Sequence, residues 1–273
     1  MVRVAIVRSK EPVTATKNAL EMIRAGEIIS RSDKILIKPN YILAKPPSSG
    51  VTTDIRVIEG VIKFVQQYDV EMIIGEGSGF SDTFVAFEMA GLTGLASRYG
   101  VKLIDLNKDE LLNIAVPNPL ALKRAQIAKT AIESCIVSVP KLKLHSMAGV
   151  TLSLKNMIGA IVPKGTVHDH LDEKIVDLAK VIKPSLSVID GTIGCAGGEL
   201  GGTPIEMNLV IAGKDPVAVD AVGAMIMGIS PNKVRHIMLA QKEGLGTGDL
   251  EKIEVIGESI ESVRKDFRSL KAT

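Results

Sequence analysis

Between residues 2 and 107 this chain alternates short apolar runs with helix-patterned stretches, and that rhythm limits what it can fold into. VRVAIV (2–7), KILIKPN (34–40), EMIIGEG (71–77) and VKLIDLN (101–107) are too short and too rich in Val and Ile for helices. Helical patterns fill the gaps, at about Thr14–Ile29, Thr53–Tyr68 and Asp82–Tyr99. Strands buried on both faces and joined by helices are the signature of βαβ units on a parallel sheet. In the second helix Ile55, Val57, Ile58, Val61, Ile62 and Val65 form one apolar stripe behind a Thr53-Asp54 cap, so that helix packs on the sheet. The third ends at Gly100, where a left-handed cap is expected.

From Asp109 to about Lys129 the pattern loosens around Pro117 and Pro119. The expected fold is therefore α/β, with mostly parallel sheets in two lobes, 1–108 and 109–273, and a cleft between them; a single continuous domain, 1–273, is the alternative. Beyond the loose segment, strands are predicted at Ser134–Val139, LSVIDG, MNLVIAG and IEVIG, and helices at about Gly149–Ala160, Glu173–Ile182, Pro216–Met227 and Lys233–Glu243. Several strands end in polar or glycine-rich corners: Lys38-Pro39-Asn40, Gly75-Glu76-Gly77, Lys141-Leu142-Lys143, Asp190-Gly191 and Gly213-Lys214-Asp215. The carboxyl ends of parallel strands form the ligand crevice of an open α/β sheet, so these corners are expected to converge.

The segment Pro140–His170 concentrates the chemistry. It holds Lys141, Lys143, Lys155 and Lys164 together with His145, His168 and His170, and no Asp or Glu occurs between Glu133 and Asp169. Buried cations need an anion, either from a ligand or from a carboxylate distant in sequence. Thr151 and Lys155 are four apart; on a helix they share a face near its N-terminus, where N–H groups and the dipole favour an anion. Among Leu152, Leu154, Met157 and Ile158, a desolvated Lys155 could serve as a point charge, a base or a covalent amine. His168 and His170 flank Asp169, and with His145 they supply the raw material of a metal site, although side chains at i and i+2 face the same way only in extended backbone. Acid–base use of a His is the competing reading. His236 reads as a surface or core residue.

The glycines of GCAGGELGG (194–202) let a backbone approach an anion closely, with Gly197-Gly198 as the candidate cradle; a flexible loop or lid is the bland alternative. The segment is neither a Walker loop nor a GxGxxG opening a helix. Cys195 within it lacks an activating neighbour and reads as a bystander. Asp215-Pro216 begins a helix as its cap and first residue. Asp220 then falls among alanines and valines, where one of the orphan lysines is the expected partner.

Composition removes several classes. With 33 Lys and Arg against 31 Asp and Glu, no global field favours nucleic acid or an anionic membrane. Absence of Trp, with five Phe and three Tyr, leaves few platforms for stacking bases. Two cysteines sixty residues apart exclude an iron–sulfur cluster ligated by this chain alone and suit a reducing, cytoplasmic setting. No apolar run reaches the length of a membrane span, and the first apolar run is too short for a signal sequence. The 46% apolar content is instead expected in buried strands and a subunit interface, of a homodimer or with a redox partner protein.

Taken together, KPN after the second strand, PKLKLHSMAGVTLSLKNMIG, KGTVHDH, the Asp190-Gly191 strand end with its glycine loop, and DPVAVDAVG resemble the domain-of-unknown-function 362 family over nearly the whole chain. Many relatives carry a cysteine-rich ferredoxin module that this chain lacks. Where relatives have a methionine-glutamate-glycine pattern in the glycine loop, Ile193-Gly194-Cys195 stands here. A shorter similarity links His145, Ala148-Gly149, Lys155 and Gly159 to the nickel-pincer lactate racemase family. That similarity implies a cofactor-bearing Lys155, an acid–base His145, and proton or hydride exchange on a small carboxylate.

The expected function is a cytoplasmic enzyme acting on a small carboxylate or phosphate by acid–base or redox chemistry. Lys38, Asn40, Lys141, Lys143, Thr151, Gly197 and Gly198 would bind the anion, and His145, Lys155 and His168 would carry the chemistry. A metal on His145, His168 and His170, or a nickel-type cofactor, is the cofactor these residues suggest. A noncatalytic anion-, cofactor- or metal-binding accessory protein is the alternative; in a third reading, distant carboxylates pair all the lysines.

Overall fold

In the computed structural model, which describes residues 1–270, the strands are β1 (Val2–Arg8), β2 (Lys34–Pro39), β3 (Glu71–Glu76), β4 (Lys102–Asp105), β5 (Leu111–Ala115), β6 (Arg124–Ala128), β7 (Cys135–Val139), β8 (Lys141–His145), β9 (Gly149–Thr151), β10 (Leu186–Gly198), β11 (Gly201–Gly213) and β12 (Ile253–Gly257). Ten of them form one mostly parallel sheet in the order β12-β1-β11-β10-β7-β2-β3-β4, with β8 on β10 and β9 on β8. This is the α/β architecture that the alternation of runs predicts. β1 lies between β11 and β12, so the segments 1–108 and 109–273 share the sheet.

Alternation of side chains builds a core on each face. On β1, β2 and β11 one set, Val4, Ile6, Leu36, Leu209 and Ile211, enters one core, while their neighbours Ala5, Ile35, Ile37, Val210 and Ala212 enter the other. Helices Pro12–Met22, Ile55–Val65, Thr83–Ala90 and Leu92–Tyr99 supply the second core; Leu171–Ile182, Pro216–Ile226 and Arg235–Lys242 supply the first. The Asp54 side chain caps Ile55–Val65 by accepting from the Arg56 N–H, as its position before the apolar stripe predicts.

Several sequence expectations change, among them the helix expected over Thr14–Ile29, which is split into Pro12–Met22 and Gly26–Ile29. The helix expected over Asp82–Tyr99 is broken in two, because Gly91 takes φ +79° and terminates the first piece. The loose segment after Asp109 holds a two-stranded hairpin, β5 with β6. Its outgoing loop is pinned by Asp177, whose carboxylate accepts the N–H groups of Leu120, Ala121 and Leu122. The helix expected over Gly149–Ala160 is a strand and then a helical turn. β9 folds back on β8 with His145 opposite Gly149 and Lys143 opposite Thr151, and helix Ser153–Asn156 follows. Gly149, at φ +77°, makes that reversal without a Cβ penalty.

Asp220 also departs from expectation. Among the described residues it pairs with no lysine; its carboxylate accepts the N–H groups of Ser153 and Leu154, capping the short helix from outside. Burial pushes this carboxyl up to about 7.

Candidate functional site

β2 and β3, parallel to their neighbours, and β8, parallel to β10, deliver Lys38-Pro39-Asn40, Glu76-Gly77 and Lys143 to one edge of the sheet, as carboxyl ends of parallel strands should. There a cavity of about 360 Å³ opens between that edge, the β8–β9 hairpin and the chain from Lys155 to Leu171. Six of the residues assigned to anion binding or chemistry in the sequence line it, Asn40, Lys143, His145, Thr151, Lys155 and His168, together with Lys164.

Beneath the cavity the cations are neutralised. Lys38 Nζ lies 2.7 Å from Glu76 Oε1, the two side chains 1% and 3% exposed. Glu76 also accepts the N–H of Gly77 and of Tyr41, so its lone pairs are well used. Asn156 locks the pair in place: its amide donates to the Lys38 carbonyl and to Ser138, while its oxygen accepts from Lys38 and from the Asn40 amide. Lys141 sits opposite Asp190 in the β8–β10 register, with Nζ 2.8 Å from the carboxylate and no exposure on either side chain. Lys38 and Lys141, which are not on the cavity lining, are thus paired by carboxylates 38 and 49 residues away in sequence, of which Glu76 itself lines the cavity.

Lys143, Lys155 and Lys164 face the cavity instead. Lys143 Nζ donates to the carbonyls of Val51 and Glu199, with no carboxylate in contact among the described residues. Desolvation, reinforced by the Lys155 charge, brings its amine down to about 7. The Lys155 amine makes no hydrogen bond or ion pair among the described residues, and burial brings it down to about 8 against the pull of Glu199 and Asp172. Lys164 donates to Asn107 Oδ1 and to the carbonyls of Gly159 and Ile161, and burial lowers it to about 8 as well. Two buried oxygens of lining residues, Asn40 Oδ1 and Thr151 Oγ1, have no partner among the described residues. Apolar walls come from Ile158, Val167 and Leu171, with exposed Phe80 and Met147 at the rim.

His145 is fixed as a neutral donor. Its Nδ1 accepts the N–H groups of Met147 and Ala148, both at 3.1 Å, in the turn of the β8–β9 hairpin. The ring proton therefore sits on Nε2, 3.7 Å from Glu199 Oε2. Burial and the Lys155 charge hold the ring down at about 3. Burial alone would raise the Glu199 carboxyl. Its own N–H and the backbone and hydroxyl of Ser146 instead hold it at about 2.

Other candidates fall elsewhere. Gly197 and Gly198 belong to the long β10–β11 hairpin, where they pair with Gly202 and Gly201; Glu199 at its tip reaches the cavity and they do not. His170 is an exposed residue at φ +51° before helix Leu171–Ile182. His168 is exposed at the rim. No group of three His, Cys, Asp or Glu suited to a metal ion occurs among the described residues. A metal on His145 Nε2 would also move the ring proton to Nδ1, against two N–H donors. The donor set therefore does not fit a metal or a nickel-type centre held by these histidines. Cys195 is buried with its thiol pushed up, as suits a bystander.

Sequence reasoning missed Glu76, Asn156 and Glu199 as site residues. Glu76 was visible as a strand-end acid and Asn156 as the neighbour of Lys155; nothing local marked Glu199.

A family model described as domain of unknown function (DUF362) matches residues 35–225, which include every residue lining the cavity. The chain is also similar to a thylakoid-associated protein of Synechocystis sp., at 24% identity over 231 residues, covering 81% of this chain and 71% of that protein. Among the described residues no helix is long and apolar enough to cross a membrane.

Proposed function

The chain belongs to the domain of unknown function (DUF362) family, and from the site we propose that it is an enzyme acting on a small carboxylate or phosphate through acid–base chemistry of the cavity lysines. The observation that carries this reading is Lys155, a part-buried amine in the cavity without a hydrogen-bonding or ionic partner among the described residues. A cation left unpaired in a desolvated site costs free energy that an anionic ligand recovers. Lys143 and Lys164 add positive charge around it, and Thr151 Oγ1 and His145 Nε2 supply hydroxyl and imidazole donors. Amines brought to about 7 and 8 are matched to proton transfer near neutral pH. The proposed location is cytoplasmic; the Synechocystis relative's name adds association with thylakoids as a second reading.

A noncatalytic anion carrier is the alternative, favoured by the locking of His145 as a neutral donor, which removes it as a general base. Melting curves of wild type and Lys155→Met with a panel of small carboxylates and with inorganic phosphate test the reading. A true ligand at a hundred times its Kd stabilises by about 2.7 kcal/mol, a rise of roughly 5–10 °C for a chain of this size. That rise should vanish in Lys155→Met. No ligand-dependent rise in wild type, or an equal one in the variant, would refute anion binding at Lys155. Conversion of the bound anion separates enzyme from carrier.

A further inference from the structure

Each lysine around the site except one has its hydrogens engaged. Lys38 and Lys141 are held by carboxylates, Lys143 by two carbonyls, and Lys164 by Asn107 and two carbonyls. Forming a bond from any of these nitrogens to carbon would strip hydrogens from buried acceptors and leave them unsatisfied. Lys155 alone loses no protein hydrogen bond by becoming an imine. Beside it stand the neutral His145, whose Nε2–H is available to an oxygen, and the unpaired Thr151 hydroxyl.

We propose that Lys155 captures the carbonyl carbon of a 2-oxo acid with an aliphatic side chain, forming a Schiff base in the cavity. The inference rests on the anion-binding reading above, with the positive charge of Lys143 and Lys164 on the lining drawing the carboxylate and Ile158, Val167 and Leu171 receiving the aliphatic chain. The neutral Lys155 amine adds to the carbonyl carbon, and the carbonyl π pair moves to oxygen. The proton that the nitrogen sheds passes to that oxygen, giving a carbinolamine whose hydroxyl is placed to accept the His145 Nε2–H. With one further proton from solvent the hydroxyl leaves as water, and the nitrogen lone pair closes the protonated imine. The sum is amine, carbonyl and one proton in, protonated imine and one water out, with no change of oxidation state. Burial supports the first step: at about pH 7.5 an amine brought to about 8 has roughly two hundred times the neutral fraction of an ordinary exposed lysine.

The test is borohydride trapping on the full-length protein with 2-oxohexanoate, followed by peptide mass mapping, with 2-hydroxyhexanoate as the noncovalent control in melting curves. The expected result is one reduced adduct on the Lys155 peptide of the wild-type protein, at least tenfold above any other lysine peptide, and its loss in Lys155→Arg. Mapping on wild type identifies the site even where a variant folds poorly. Stabilisation by 2-hydroxyhexanoate without a Lys155 adduct overturns the Schiff base and leaves anion binding standing. An adduct spread over exposed lysines also overturns it. No stabilisation by either compound and no adduct overturn both readings for this ligand class.

Discussion

Replacing Lys143 by Met should flatten an unusual rise of stability with pH. Lys143 is brought to about 7 in the folded protein by burial and by Lys155, whereas in the unfolded chain a lysine titrates near ~10.4. Between these two values the unfolded state binds one more proton than the folded state. Stability therefore rises with pH across the window, and the cost of holding a charged Lys143 is fully present below about 7. One pKa unit is about 1.4 kcal/mol, so from roughly pH 7 to 9.5 Lys143 should contribute about 3 kcal/mol of added stability. Lys155, brought to about 8, adds to the same trend. Urea unfolding of wild type and Lys143→Met at several pH values reads the slope directly. Comparing the two proteins cancels the thiols and tyrosines they share. The variant also leaves the Val51 and Glu199 carbonyls without a donor, which lowers its stability at every pH; the slope, not the offset, is the readout. Wild-type stability that stays flat or falls over this range, or an equal slope in both proteins, would show that Lys143 is not desolvated as described.

The Lys38–Glu76 pair should behave as a buried ion pair. Lys38→Met or Glu76→Gln alone should cost about 3–5 kcal/mol, while the double replacement costs clearly less than their sum; additive losses in urea titrations would contradict the coupling. Gly159→Ala should destabilise by about 1–3 kcal/mol, because a Cβ there would run into the Glu76 carboxylate and the Lys38 ammonium; an unchanged melting temperature would mean that the cavity floor gives way freely.

The parallel sheet was legible because strands buried on both faces leave compact Val- and Ile-rich runs, and those runs became β1 to β4, β7 and β10 to β12. The convergence of Lys38, Asn40, Glu76 and Lys143 followed from topology, since parallel strands end on one side. Pairing was not legible. Neither Lys38 nor Lys141 is paired by an acid near it in sequence; their carboxylates arrive through strand register, Glu76 from β3 and Asp190 from β10. The hairpin at Gly149 was missed because Val150, Leu152, Leu154 and Met157 fit a helical face as well as two sides of a strand and turn; the positive φ of Gly149 decides between them. That hairpin still brings Thr151 and Lys155 to one cavity, by a different route from the helix face first expected. The glycine-rich stretch gave no sign that Glu199 would be carried beside His145 at the tip of a hairpin.

The central claim is that Lys155 is a desolvated, unpaired amine waiting for an anion. An NMR titration of its ζ-nitrogen, with the signal assigned by Lys155→Arg, tests that claim directly. The account predicts a midpoint near 8 in the ligand-free protein, moved upward when a small carboxylate binds. A midpoint near the ordinary ~10.4 of an exposed lysine, unmoved by carboxylates or phosphate, would contradict it.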